Sequence, residues 1–155
     1  KVIAERHLTI NNRVLEDQPF DLVISTHVCR GNYHSTWAAR GGYLPIAPLL
    51  FAREKVHTLY LEFDDERSGG FAPLRYVSPD KTVVLGLVTT KRPDLEDPER
   101  IRERIKEAAQ YVPLSRLSLS PQCGFASTEI GNKLTEEDQW KKIALVRDIA
   151  QTVWG

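Results

Sequence analysis

The feature that most constrains this chain is a regular alternation between short apolar runs and longer helical patterns. The apolar runs are rich in β-branched or aromatic residues and bounded by turn formers, which predicts buried strands. They are DLVISTHV (21–28), HTLYLEF (57–63), TVVLGLVTT (82–90) and LSRLSLS (114–120). A strand, helix, strand, helix order is typical of parallel βα units. We therefore expect an α/β fold with a parallel sheet.

Helical signals fill the intervening segments. Residues 1–17 and 41–55 carry apolar residues at helical spacing, and the two prolines of the second segment predict a kink and a position in an early turn. Residues 97–112 begin with Asp-Pro, which is typical of a first helical turn, and residues 135–155 begin with a Thr-x-x-Asp capping box. The last two segments each predict an apolar face, made of Ile101, Ile105, Ala108 and Val112 in one and of Trp140, Ile143, Ala144, Val146 and Ile149 in the other.

Four uninterrupted βα units fit half of an eight-unit barrel better than a complete doubly wound sheet. A flavodoxin-like open sheet needs about five strands and is the structural alternative. We expect one domain over residues 1–155. Because the chain starts at Lys1 with a helical pattern already under way, we also expect it to be a piece of a longer protein, the C-terminal half of a (β/α)8 barrel.

Charge and composition narrow the class of partner. The 155 residues include 21 Lys and Arg and 21 Asp and Glu, so the formal net charge is zero, and 41% of the residues are hydrophobic. No one-signed field points to nucleic acid or to a membrane surface, and no run approaches the length of a membrane span. We expect a cytoplasmic protein whose partner is a small molecule or another protein. Two cysteines are too few for a disulfide framework.

Four residues with metal-ligating side chains fall at predicted carboxyl ends of strands. His27 and Cys29 end the first strand, Glu62 ends the second, and Cys123 follows the fourth. In parallel βα folds these ends meet at one rim, where reactive residues gather. Two thiolates with a histidine and a carboxylate form a soft ligand set that suits zinc better than magnesium or calcium. The joint placement predicts a zinc site.

Each of these residues also has a simpler interpretation. A His-x-Cys pair at a strand end is commonly a matter of packing, a strand-end glutamate can face solvent or pair with arginine, and a lone cysteine can be a small buried hydrophobe. The nearby DERSGG segment (65–70) has a glycine pair without the setting of a phosphate-binding loop, so we interpret it as a mobile turn.

The order of four motifs resembles a known family. THVCRGNY, LYLEFDDERSG, VVLGLVTTK and LSLSPQCGF together resemble the C-terminal part of the cobalamin-independent methionine synthases, more closely the short single-barrel members. The resemblance runs over essentially the whole chain. It implies a TIM (β/α)8 barrel in which zinc, held here by His27, Cys29, Glu62 and Cys123, activates the thiol of homocysteine for methylation to methionine.

The resemblance also sets the functional alternatives. The long synthases carry an Asp-x-His-Ser stretch near the third strand, whereas this chain reads GLVTTKRP there, with Thr89, Thr90 and Lys91 and no histidine. The catalytic proton acceptor is therefore not identified. The methyl donor can be a 5-methyltetrahydrofolate or a corrinoid, and the acceptor can be another thiol such as coenzyme M. A structural zinc site and a metal-free barrel of the decarboxylase type are the non-thiol alternatives.

A half barrel has two open sheet edges. We expect the isolated piece to be inactive and to associate with a second copy or with the other half of its barrel, or else to aggregate.

Overall fold

The computed structural model describes residues 2–155 and contains four strands and four helices, which alternate except between the second and third strands, where two short 3₁₀ turns take the place of a helix. The strands are β1 (Ser25–Val28), β2 (Thr58–Glu62), β3 (Thr82–Val88) and β4 (Leu117–Pro121). The helices are α1 (Val2–Val14), α2 (Ala47–Arg53), α3 (Pro98–Ala108) and α4 (Glu136–Trp154). Short 3₁₀ turns cover Glu66–Ser68, Ala72–Tyr76 and Leu114–Arg116. Within residues 2–155, no helix combines the length and the apolar character that crossing a membrane requires.

The four strands form one parallel sheet in the order β1-β2-β3-β4. Each strand lies beside the next one in sequence, so the order never reverses. A doubly wound sheet of the flavodoxin type places strand 1 between strands 2 and 3, which this sheet does not do. The consecutive order is that of a (β/α)8 barrel segment, as the sequence predicted.

The two faces of the sheet differ in polarity. Alternate positions on the strands form one face, which packs against Phe51, Ile101, Ile105 and Ile149 of the helices. The strand residues of that apolar face are Leu59, Leu61, Val83, Leu85 and Leu117. The opposite face carries His27 and Tyr60, which are exposed. In a closed barrel this second face would point into the interior.

Some helical predictions were correct and others were wrong. The predicted face of α3 is buried as expected, including Ile101 and Ile105. Helix α2 begins only at Ala47, because Pro48 is best accommodated in the first turn. In α4, Trp140 and Ile143 are exposed, so the apolar face predicted there is wrong at these two positions. Its inward positions include Ile149 and a fully buried lysine, Lys142.

Strand β1 is also shorter than predicted. Residues 21–24 precede it without joining the sheet, and the strand itself covers only Ser25–Val28. As an outer strand it has a neighbour on one side only, so it gains less from pairing than β2 and β3 do.

A candidate metal centre at the carboxyl edge of the sheet

The structure brings together all four side chains that the sequence singled out. His27 lies on β1, Cys29 directly after it, Glu62 at the end of β2 and Cys123 two residues after β4. One potential ligand atom from each lies within 4.8 Å of those of the other three. His27 and Cys29 are exposed, Cys123 is half-buried and Glu62 is fully buried. The cluster is the group within residues 2–155 that could hold a metal ion.

The parallel register explains how β1 and β2 contribute. Val28 pairs with Leu61, so the next residue on each strand, Cys29 and Glu62, comes level at the same edge. His27 lies two positions before Cys29 and therefore projects from the same side of the extended chain. His27 Nε2 is 3.7 Å from the Oε1 atom of Glu62.

Cys123 reaches the cluster because Gly86 on β3 has no side chain. Glu62 lies on β2 and Cys123 follows β4, so the chain after β4 must pass close over β3, whose neighbours stand about 4.8 Å away on each side. A Cβ atom at Gly86 would lie 2.9 Å from the Gln122 Cα and 3.0 Å from the Leu61 carbonyl oxygen. The β3–β4 register also shifts between Gly86 and Val88. The missing side chain and the register shift together let the segment before Cys123 approach Glu62.

Glu62 is fixed at both its side chain and its backbone. The Arg30 backbone N–H donates to Oε1 at 3.0 Å, and Arg67 Nη2 donates to Oε2 at 3.1 Å. The Tyr43 hydroxyl accepts from the Glu62 N–H at 2.9 Å and donates to the Glu62 carbonyl at 3.1 Å. Burial raises the pKa of the Tyr43 phenol, although Arg30 opposes this, so the hydroxyl keeps the proton that it donates.

The DERSGG segment provides one of these contacts and is not the mobile turn that the sequence suggested. It forms a 3₁₀ turn in which the Arg67 backbone N–H donates to the side chain of Asp65, and Ser68 is fully buried. The Arg67 side chain is only 5% exposed and contacts the carboxylates of Asp64 and Asp65 as well as that of Glu62. Burial by itself would lower the pKa of Arg67, but Asp64 and Asp65 outweigh it and raise that pKa.

A small cleft adjoins the cluster on the face of the sheet away from the helices. Its volume is about 280 Å³, and its lining includes His27, Tyr60, Ser120, Gln122 and Cys123. Two candidate ligands thus open directly onto a space of small-molecule size.

A polar network joins the loops around this rim. Lys91 Nζ donates to the Asn32 side-chain oxygen at 2.9 Å and to the Gly31 carbonyl at 3.1 Å. Asn132 donates to the same Asn32 oxygen at 3.1 Å and to the Thr90 carbonyl at 2.9 Å. Burial lowers the pKa of the Lys91 ammonium, and the Arg67 charge adds to this effect. Lys91 therefore holds the loops after β1 and β3 together, at the position where the sequence lacks the histidine of the long synthases.

Sequence reasoning missed the residues that support the cluster. Tyr43 and Arg67 lie in loops, outside the strand ends that guided the search. The one available signal was an arginine directly after four acidic residues, Glu62 and Asp64 to Glu66, which predicts a pairing without showing its partner.

A parallel βα half-barrel with a His, Cys, Cys and Glu cluster at the carboxyl edge of its sheet defines the class: a barrel domain with a candidate metal centre. Comparison with known families is more specific. The chain belongs to the family of cobalamin-independent synthase catalytic domains, whose pattern it matches over residues 19–151. The family resemblance inferred from the four motifs is confirmed.

Two curated relatives come from Bacillus subtilis (strain 168). The uncharacterised proteins YxjG and YxjH are each 55% identical to this chain, over 144 and 147 residues. These matches cover 92% and 94% of the chain but only 38% and 39% of the two relatives. The chain thus spans about two fifths of their length.

Two solved structures have the same fold. A candidate vitamin-B12-independent methionine synthase from Listeria monocytogenes matches with a TM-score of 0.80 and 41% identity, over 100% of this chain and 42% of that one. A B12-independent methionine synthase from Shewanella sp. W3-18-1, solved with selenomethionine, matches with a TM-score of 0.79 over 97% of this chain and 43% of that one. The second is 16% identical and supports the fold alone. The predicted half-barrel architecture is confirmed.

Proposed function

We propose that residues 1–155 form the zinc-binding half of an S-methyltransferase that transfers a methyl group to the thiol of homocysteine, giving methionine. Family membership supports the reaction class, and the cluster of four potential ligands carries the proposal for zinc. His27, Cys29, Glu62 and Cys123 would hold the ion. A folate-type methyl donor is the first to test, and a corrinoid donor the second.

The arrangement of the four side chains fits zinc. Tetrahedral ligands at zinc distances of 2.0–2.3 Å stand about 3.3–3.8 Å apart. The four ligand atoms here lie within 4.8 Å of one another, so they need to close by about 1 Å. His27 and Cys29 are exposed at a strand end and have room for this movement, whereas buried Glu62 is already fixed.

The ligand set favours sulfur chemistry over hydrolysis. When bound, zinc keeps a substrate thiol in its deprotonated, nucleophilic form. The charges of Cys29, Cys123 and Glu62 exceed that of a divalent ion by one, so the site carries a net negative charge. Three neutral imidazoles would instead favour the activation of water. Two thiolates therefore support alkyl transfer to sulfur.

The exposure of the site argues against the structural alternative. Four protein ligands are also the set of a structural zinc site, which keeps no access for a substrate. In a catalytic site, a substrate thiol would bind in addition to these four ligands or in place of one of them, and either route requires access to the ion. Here His27 and Cys123 line a cleft of about 280 Å³, which leaves the cluster open on one side. The same chemistry would serve another thiol such as coenzyme M, so the choice of acceptor has to be measured.

Zinc content of the complete gene product, measured by elemental mass spectrometry, tests the proposal. We expect one zinc per chain, lost together with methyl transfer in Cys123→Ser and in His27→Ala, while Glu62→Gln weakens zinc binding but retains it. His7→Ala is the matched control, because His7 is exposed on α1, outside the cluster. Activity is then compared between homocysteine and coenzyme M with each methyl donor. Full zinc and activity in Cys123→Ser would refute the ligand assignment, and zinc-free wild-type protein would refute the proposal as a whole.

A further inference from the structure

The two oxygens of the Glu62 carboxylate have different partners. Oε1 accepts from the Arg30 backbone N–H at 3.0 Å and lies 3.7 Å from His27 Nε2. Oε2 accepts from Arg67 Nη2 at 3.1 Å. The side chain is fully buried, so water cannot orient it. Protein contacts alone decide which oxygen faces the other candidate ligands, and Oε1 is the one beside His27.

Arg67 is itself held rigidly. Its side chain is 5% exposed, and Nη2 also donates to Asp64 Oδ1 at 2.9 Å. Nη1 contacts Asp65 and lies 3.4 Å from Asp64 Oδ2. A guanidinium presents several donors in one rigid plane, so it can bond Glu62 and both aspartates at the same time. A flexible ammonium would lose this shared geometry.

We infer that Arg67 is a positioning residue for the candidate metal centre: it holds Oε2 of Glu62 so that Oε1 alone is presented beside His27. This inference rests on the proposed function, because it assigns Arg67 a role toward the same zinc ligands. Hydrogen-bonded partners orient metal-ligating carboxylates and are commonly worth 10–100-fold in metal affinity. Arg67 supplies that orientation before an ion arrives.

The test measures zinc affinity of the complete gene product by competition with a chelator. We expect Arg67→Gln to weaken zinc binding by about tenfold or more, and Arg67→Lys, which keeps the charge beside Asp64 and Asp65, to give an intermediate loss. Arg102→Gln is the control, since Arg102 pairs with Glu99 on the surface of α3. Thermal melting checks that each variant is folded, and the lysine variant serves if the glutamine variant is not.

Repeating the Arg67 substitution in a protein that already lacks the Glu62 carboxylate separates a positioning role of Arg67 from a general contribution to the stability of the fold. If Arg67 acts through Glu62, its replacement in a Glu62→Ala protein, which keeps no side-chain oxygen for Arg67 to bond, should change zinc affinity by less than about twofold. An equal loss in both backgrounds, or no loss in either, would overturn the role of Arg67 while leaving the zinc proposal intact. Wild-type protein that binds no zinc would overturn both.

Discussion

The Tyr43 hydroxyl makes the backbone hydrogen bonds to Glu62 that a neighbouring strand would otherwise make, and removing it should lower the free energy of unfolding. Glu62 pairs with Gly86 on the β3 side, while β1 ends at Val28, one position short of it. The hydroxyl bonds both the N–H and the C=O of Glu62, at 2.9 and 3.1 Å. In Tyr43→Phe the ring still packs against Phe51 and Phe63, so only these two bonds are lost.

The magnitude follows from burial. Tyr43 is 1% exposed and Glu62 is fully buried, so water cannot replace the hydroxyl without a rearrangement. Each buried group left unpaired costs about 1–3 kcal/mol, and two such groups give an expected loss of about 2–6 kcal/mol in the free energy of unfolding. Urea denaturation of the complete gene product measures this loss. Exposed Tyr111 provides the control, and Tyr111→Phe should change the value by less than about 0.5 kcal/mol.

Hydrogen exchange tests the role of the Tyr43 hydroxyl locally, at the strand that it contacts. Hydrogen exchange of the peptide covering Thr58–Glu62 should speed up in Tyr43→Phe, because the Glu62 amide loses its only partner on that side. A loss below about 0.5 kcal/mol with unchanged exchange of this peptide would show that the hydroxyl does not hold Glu62, and our account of the fixed carboxylate would be wrong.

Two further substitutions test how the edge of the sheet is built. Gly86→Ala should lower the free energy of unfolding by about 1–3 kcal/mol and weaken zinc binding, because the added Cβ would displace the backbone at Gln122. Zinc affinity that is unchanged in chelator competition would contradict our account of how the chain after β4 passes over β3. Lys142→Met should lower the free energy of unfolding by about 3 kcal/mol, measured by urea denaturation, because Nζ of buried Lys142 lies 3.1 Å from both carboxylate oxygens of Glu96. Lys141→Met, on the exposed side of the same turn, should change this value little. Equal effects of the two substitutions would show that the buried pair contributes no more than the exposed one.

The candidate ligands could be predicted from the sequence because their positions follow from one rule. The apolar runs located the four strands, and parallel βα folds gather functional residues at the carboxyl ends of strands. His27, Glu62 and Cys123 each lie at or just beyond such an end. The register that brings Cys29 level with Glu62 was not predicted and is an observation of the structure.

The faces of α4 were not predictable in the same way. Helical periodicity shows which apolar residues share a side, but it does not show which side meets the sheet. Trp140 and Ile143 are exposed, whereas Lys142 is buried because Glu96 and the Asp94 carbonyl satisfy its charge and donors. A charged residue at an inward position is allowed only where such a partner exists, and that partner lies more than 40 residues away in the chain.

The residues that hold Glu62 in place were also not predictable from the sequence. Four hydrogen bonds fix this residue, from the Arg30 backbone, the Arg67 guanidinium and the two contacts of the Tyr43 hydroxyl. Arg30 lies two residues after β1 but contributes only its backbone N–H, which no residue type reveals, and Tyr43 and Arg67 lie away from the strand ends with no pattern that sets them apart. A ligand that is already oriented loses little freedom when an ion binds, so these loop residues govern affinity as directly as the ligands do. A search for metal sites by ligand spacing alone therefore finds the donors and overlooks the residues that hold them in place.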